Sequence, residues 1–174
     1  AGVVTEHHDR AISGDSDQES AGHDERESLL LVGVGERGRL AIPLSSIARL
    51  EEIPHDTIEY AAEQEVVQYR GDILPLLRIS KLLSIRGAGQ GEEDGPMQVV
   101  VYSRDGKSAG LVVDRIIDVV EEAYTLQRRG ARRGFIGSAV IGEKVTDLLD
   151  LEGLIKQHDP SFFETPAPLA GVGV

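Results

Sequence analysis

The stretch MQVVVYSRDGKSAGLVVD, Met97 to Asp114, decides the fold class. Two valine-rich runs flank Asp105-Gly106. An Asp-Gly step between β-branched runs is a strong short-range signal for a two-residue hairpin, because both turn positions need positive φ. Working outward, the device recurs on both sides. Upstream, LLLVGVGERGRLAIP (Leu29 to Pro43) joins two apolar runs across Gly35-Glu36-Arg37-Gly38. Downstream, GSAVIGEKVTDLLDLEGLIKQ (Gly137 to Gln157) turns around Gly142. It then changes period: Leu148, Leu149, Leu151, Leu154 and Ile155 suit one face of a short helix entered near Asp150. In EVVQYRGDILPLLRISKLL (Glu65 to Leu83) the corner falls at Gly71, and Pro75 predicts a position whose N–H no ladder needs. The following ISKLL is long enough for a turn or two of helix. Short strands spaced at about ten residues with hairpin turns predict β-barrels.

Composition narrows the function. The 174 residues suffice for one domain or two small ones, and with 40% hydrophobic but 4% aromatic residues and no Trp, the core must be aliphatic. A net charge of −12 repels phosphate backbones and anionic membranes, so no nucleic-acid partner is expected. The absence of Cys excludes disulfides, thiolate nucleophiles and cysteine-ligated zinc, and suits a reducing cytoplasm. No apolar run approaches the roughly 18 residues of a membrane span, so no direct membrane insertion is expected. A chain opening on Ala1 reads as a fragment or a processed chain.

Three segments predict organisation. Residues 1–28 are acidic, with almost nothing apolar after Ile12, and read as a disordered linker that cannot bury enough surface to offset its ordering entropy. Residues 29–158 carry the strand pattern, and 159–174 read as a C-terminal tail, loose in its TPAPLAGVGV end. The glycine-rich loop RGAGQGEEDGP (Arg86 to Pro96) reads as mobile.

No catalytic set emerges. There is no G-x-x-x-x-G-K-[ST] phosphate cradle. GVGERG (Gly33 to Gly38) has the spacing of a dinucleotide fingerprint, but a strand with a proline follows it where a helix is required. His7, His8 and His23 lie in the acidic segment, where a metal would lack fixed geometry. The pairs Glu51-Glu52, Glu92-Glu93 and Glu121-Glu122 are adjacent, and on strands neighbours face opposite sides, so they read as solvated charge. RRGARRG (Arg128 to Gly134) is a basic cluster in an acidic chain, a solvated loop or a local anion site. Arg70-Gly71-Asp72 reads as a hairpin corner and not as a cell-adhesion tripeptide. No catalytic residue, cofactor or metal is assigned, and the chain reads as a binding module.

Four ordered blocks carry a more specific expectation: LLLVGVGERGRLAIPLSSIARLEEI, VVQYRGDILPLLRISKLL, MQVVVYSRDGKSAGLVVDRIIDVVE and GFIGSAVIGEKVTDLLDLEGLI. From Leu29 to Gln157 they resemble CheW-like domains. The resemblance implies an all-β domain of two SH3-like five-stranded β-barrel subdomains with short helices. It also implies a cytoplasmic, non-catalytic adaptor at bacterial chemotaxis arrays, joining chemoreceptors to a histidine autokinase. Such domains occur as the free coupling protein CheW and as the C-terminal regulatory domain of the kinase CheA. AIPLSSI, the Y-R-G-x-x-L-P run and the acidic segment look more like the kinase's version. The implied partners are a chemoreceptor helical hairpin and a homologous CheW-like domain of CheA or CheW. The implied interaction residues are Ile47, Leu50 and Ile116, in the groove between the barrels or as plain core, and Arg70 beside that groove, where it could hold a carboxylate. An SH3-like or OB-like nucleic-acid binder would demand a basic face with aromatics, which this chain lacks.

Overall fold

The computed structural model describes residues 26–36, 39–85, 95–127 and 133–163. The expectations for residues 1–25, for most of the glycine-rich loop, for the arginines at 128, 129 and 132, and for the chain after 163 lie outside the described residues. Among the described residues eleven strands form two sheets. The first holds β1 (Glu27–Gly33), β2 (Arg39–Pro43), β9 (Arg115–Glu122), β10 (Phe135–Ile141) and β11 (Lys144–Leu149), in the order β10-β11-β2-β1-β9. The second holds β3 (Arg49–Ile53), β4 (Glu59–Ala61), β5 (Gln64–Tyr69), β6 (Asp72–Arg78), β7 (Met97–Arg104) and β8 (Lys107–Val113), in the order β3-β7-β8-β6-β5-β4. The three-residue β4 makes this sheet six strands where five were expected. Each sheet is antiparallel except at one parallel junction, β2 with β11 and β6 with β8.

Both sheets curl so that their far edges approach. Past β9, the Gln127 N–H donates to the Ser138 carbonyl of β10 at 2.7 Å. In the second sheet the Tyr69 hydroxyl of β5 donates to Glu51 of β3 at 2.7 Å. Helix α1 (Ile79–Leu82) is a single turn after β6, and α2 (Leu151–His158) starts from Asp150, whose carboxylate accepts the Gly153 N–H at 3.1 Å. That N-cap satisfies a donor with no intrahelical partner, and it sits where the change of period predicts it.

The aliphatic strands divide their side chains among three cores. Leu29 and Leu31 pack with Ile141 and Leu148 inside the first sheet. Val99 and Val101 pack with Leu74 and Val112 inside the second. The alternate residues Leu30, Val32, Val100 and Tyr102 meet in a third core between the sheets, closed by Leu151, Leu154 and Ile155 of α2. Strand residues alternate sides, so a continuous apolar run feeds two cores at once.

Ordered strand and turn extend beyond residues 29–158 at both ends. β1 begins at Glu27, inside the expected linker, because the Tyr124 hydroxyl donates to Glu27 at 2.6 Å and the strand pairs with β9 from its first residue. At the other end, Pro160–Phe163 forms a 3-10 turn that buries Phe162 in the inter-sheet core, so packing runs beyond His158.

Candidate protein-interaction surface

The seam between the sheets presents side chains from both. Ile47 follows the 3-10 turn Leu44–Ser46, and Ile116 stands at the start of β9. Both are half-buried and pack against the inter-sheet core. Leu50 lies on β3 opposite Val100 and is 40% exposed. Sequence reasoning missed two residues beside them. A bulge in the β1–β9 ladder leaves Ile117 as the extra residue, so Ile116 opposes Val32 while Val119 opposes Leu30. Directly paired residues share a face, so Ile116 and Val119 both turn to the seam side, where Val32 and Leu30 are wholly buried. Val119 nevertheless remains 51% exposed, and Ile117 41%. The apolar run in RIIDVV was the available signal; the bulge that re-aims it was not.

Arg70 is elsewhere. It occupies the first position of the two-residue β5–β6 turn, exposed, with its guanidinium carbon 5.7 Å from the Tyr69 ring centre. It lines two cavities, and neither is lined by Ile47, Leu50 or Ile116. Among the described residues no carboxylate is in ion-pair contact with it, so the bidentate hold is not seen.

Polar contacts brace the second sheet and tie it to the first. Arg78 holds Glu65 by two hydrogen bonds, 2.8 and 3.1 Å, which lower the carboxyl pKa despite burial. Glu152 on α2 accepts from Tyr102 at 3.1 Å and from Arg104 at 2.6 Å, both on β7, pinning the helix of one sheet to a strand of the other. Burial, then the Glu152 carboxylate, raises the Tyr102 pKa. Within the second sheet, Glu51 meets Tyr69 and, at 3.9 Å, Arg49. Among the described residues no three His, Cys, Asp or Glu side chains cluster as a metal site. No helix of the described chain is long and apolar enough to cross a membrane.

Two curled all-β sheets that share one aliphatic seam, with uncovered aliphatic side chains at its rim, define a paired-barrel module. Residues 28–159 match the family model described as CheW-like domain, and the chain belongs to that family. It is similar to the sensor histidine kinase CheAY of Helicobacter pylori, 29% identical over 131 residues, which span 72% of this chain and 16% of the kinase. In fold it matches the scaffolding protein TtCheW of Thermoanaerobacter tengcongensis with a TM-score of 0.59 at 16% identity, over 76% of this chain and 89% of that one.

Proposed function

We propose that this chain is a non-catalytic coupling domain of bacterial chemotaxis, working in the cytoplasm at receptor arrays, and that it is the C-terminal regulatory domain of a CheA-type kinase. The observation that carries the coupling role is the exposure of Leu50 and Val119, 40% and 51%, on strand faces whose direct partners Val100 and Leu30 lie in the inter-sheet core. Apolar side chains at helical spacing on a receptor hairpin are suited to such a groove. A homologous CheW-like domain is the second partner, meeting the exposed aliphatic strand faces. The similarity to a kinase of which this chain spans 16% supports the regulatory-domain assignment. The free coupling protein is the second reading, favoured by the 89% coverage of TtCheW.

Binding of the purified chain to a soluble receptor hairpin, read by calorimetry, tests the coupling role. Leu50→Asp and Val119→Asp should each weaken binding about tenfold or more, since each places a carboxylate in an apolar contact, while the melting temperature stays near that of the parent. Undiminished binding by both variants overturns the seam as the site. The parent assignment is tested by the reading frame upstream of Ala1: a phosphorylatable His and nucleotide-binding motifs are expected there, and their absence favours the free coupling protein.

A further inference from the structure

Pro75 marks where β6 and β8 part. The two pair in parallel only over Leu76–Arg78 against Gly110–Val112. The next rung toward their N-termini would need an N–H at Pro75, and proline has none. From there Asp72 to Pro75 pair with β5 alone, and Lys107 to Ala109 with β7 alone. Tyr69 with Asp72, and Arg104 with Lys107, close the two hairpins. In a two-residue hairpin the closing pair exchanges both hydrogen bonds, so the N–H and C=O of the next residue point away from the hairpin partner. For β6 that residue is Ile73 and for β8 it is Ser108, and each turns its backbone groups toward the opposite strand. Between them lies a cavity of about 430 Å3, walled by Ile73 and Pro75 on one side and by Ser108 and Phe162 on the other.

The charge of this slot opposes that of the chain. The whole protein carries −12, yet Arg70 and Lys107 line the slot against a single carboxylate, Asp72. The Lys107 ammonium is fixed, donating to the Phe162 carbonyl at 2.8 Å and lying 5.9 Å from the Phe162 ring centre. Arg70 is exposed at the tip, and Ile73 is 66% exposed. Unpaired strand edges recognise extended backbone, and at about 3.3 Å per residue the open lengths of β6 and β8 accommodate about three residues.

We propose that this slot takes an extended acidic segment of a partner protein, added as a strand between β6 and β8, with its backbone bonded to Ile73 and Ser108 and a carboxylate on Arg70. The proposal goes beyond the seam reading, since it uses other residues and an extended rather than helical ligand. The probe is the acetylated, amidated peptide Val-Glu-Val-Glu-Val, titrated into the full chain labelled with nitrogen-15. Saturable shifts should centre on the Ile73 and Ser108 amides. The same peptide with Gln for both Glu should bind about threefold or more weakly, and one N-methylated at its central Val about tenfold or more weakly. In Arg70→Gln the preference for Glu over Gln should vanish while the Gln peptide still binds. Absence of saturable shifts at Ile73 and Ser108, equal affinity for the N-methylated peptide, or a Glu preference that survives in Arg70→Gln each overturns the proposal. Should Arg70→Gln fail to fold, the comparison of the three peptides on the parent chain decides it. None of these failures touches the seam, which is tested at Leu50 and Val119.

Discussion

Arg70 and Gly71 both hold positive φ, +53° and +84°, so the corner is a two-residue hairpin whose backbone requires the left-handed region twice. Gly71 was legible as the turn residue; Arg70 was not legible as its strained neighbour, because arginine carries no left-handed preference. A Cβ at Gly71 would meet nothing within 4 Å, so the cost of Gly71→Val comes from forcing a β-branched residue to positive φ, about 1–3 kcal/mol, read by urea unfolding. Arg70→Ala keeps the same strain and loses an exposed side chain, so its stability should stay within about 0.5 kcal/mol of the parent. Equal destabilisation by the two would contradict this division. At Glu65 the argument concerns pH. Its folded pKa lies below the ordinary 4.5 chiefly because Arg78 hydrogen-bonds the carboxylate. The pair therefore contributes stability above 4.5 that is lost as pH falls from there through the depressed folded value. Glu65→Gln should thus destabilise at about pH 7 and lose part of the parent's acid dependence, so that the two chains converge in urea midpoint on titration toward about pH 3. A gap that stays constant over that range rules out the linkage.

Among the described residues four hairpins use two adjacent positive-φ residues, and they differ in how visibly they do so. Asp105-Gly106, Arg70-Gly71 and Gly142-Glu143 each contain a glycine, and all three corners are predicted from sequence. The β4–β5 turn, Ala62-Glu63 at φ +52° and +71°, contains none, and β4 went unseen with it. Without a turn residue, a three-residue exposed strand has neither punctuation nor burial to betray it. The same turn yields a stabilising change. Replacing Ala62-Glu63 by Asn-Gly gives both positions residues that accept the left-handed region, and should raise stability by about 1 kcal/mol. A thermal midpoint unchanged or lowered in the Asn-Gly variant would show that the present turn carries no strain to relieve. The bulge in β9 was hidden for a related reason. Its extra residue is Ile117, and neither Gly nor a break in the apolar run marks it, so alternation alone puts Val119 on the wrong face.

At the scale of the whole molecule, the apolar runs announced strands but not how many cores those strands serve. Periodicity reports that a strand is buried on both faces; it does not say which neighbour covers each. The seam arises because β1 and β2 of one sheet and β7 and β8 of the other each turn their alternate residues outward into a common core, with α2 as its lid. Ile47 and Ile116 could be assigned to a groove by family resemblance, since a groove between two sheets is a long-range property that no local pattern encodes. A shared core has a thermodynamic consequence. If the sheets were independent units, heating would reveal two transitions; if the seam binds them, the protein melts once. Leu154 of α2 is fully buried in that seam, and Leu154→Ala should cost about 2–5 kcal/mol through lost burial and the cavity left behind. The loss should appear as a single transition displaced to lower temperature. With no Trp in the chain, tyrosine emission and backbone dichroism serve as the two probes, because Tyr124 packs in the first sheet and Tyr102 on a strand of the second. Coincident curves for the parent and for Leu154→Ala are expected. Divergence of the probes in the parent chain would mean that the seam is a contact between two self-sufficient barrels, and a groove there would then open and close independently of either fold.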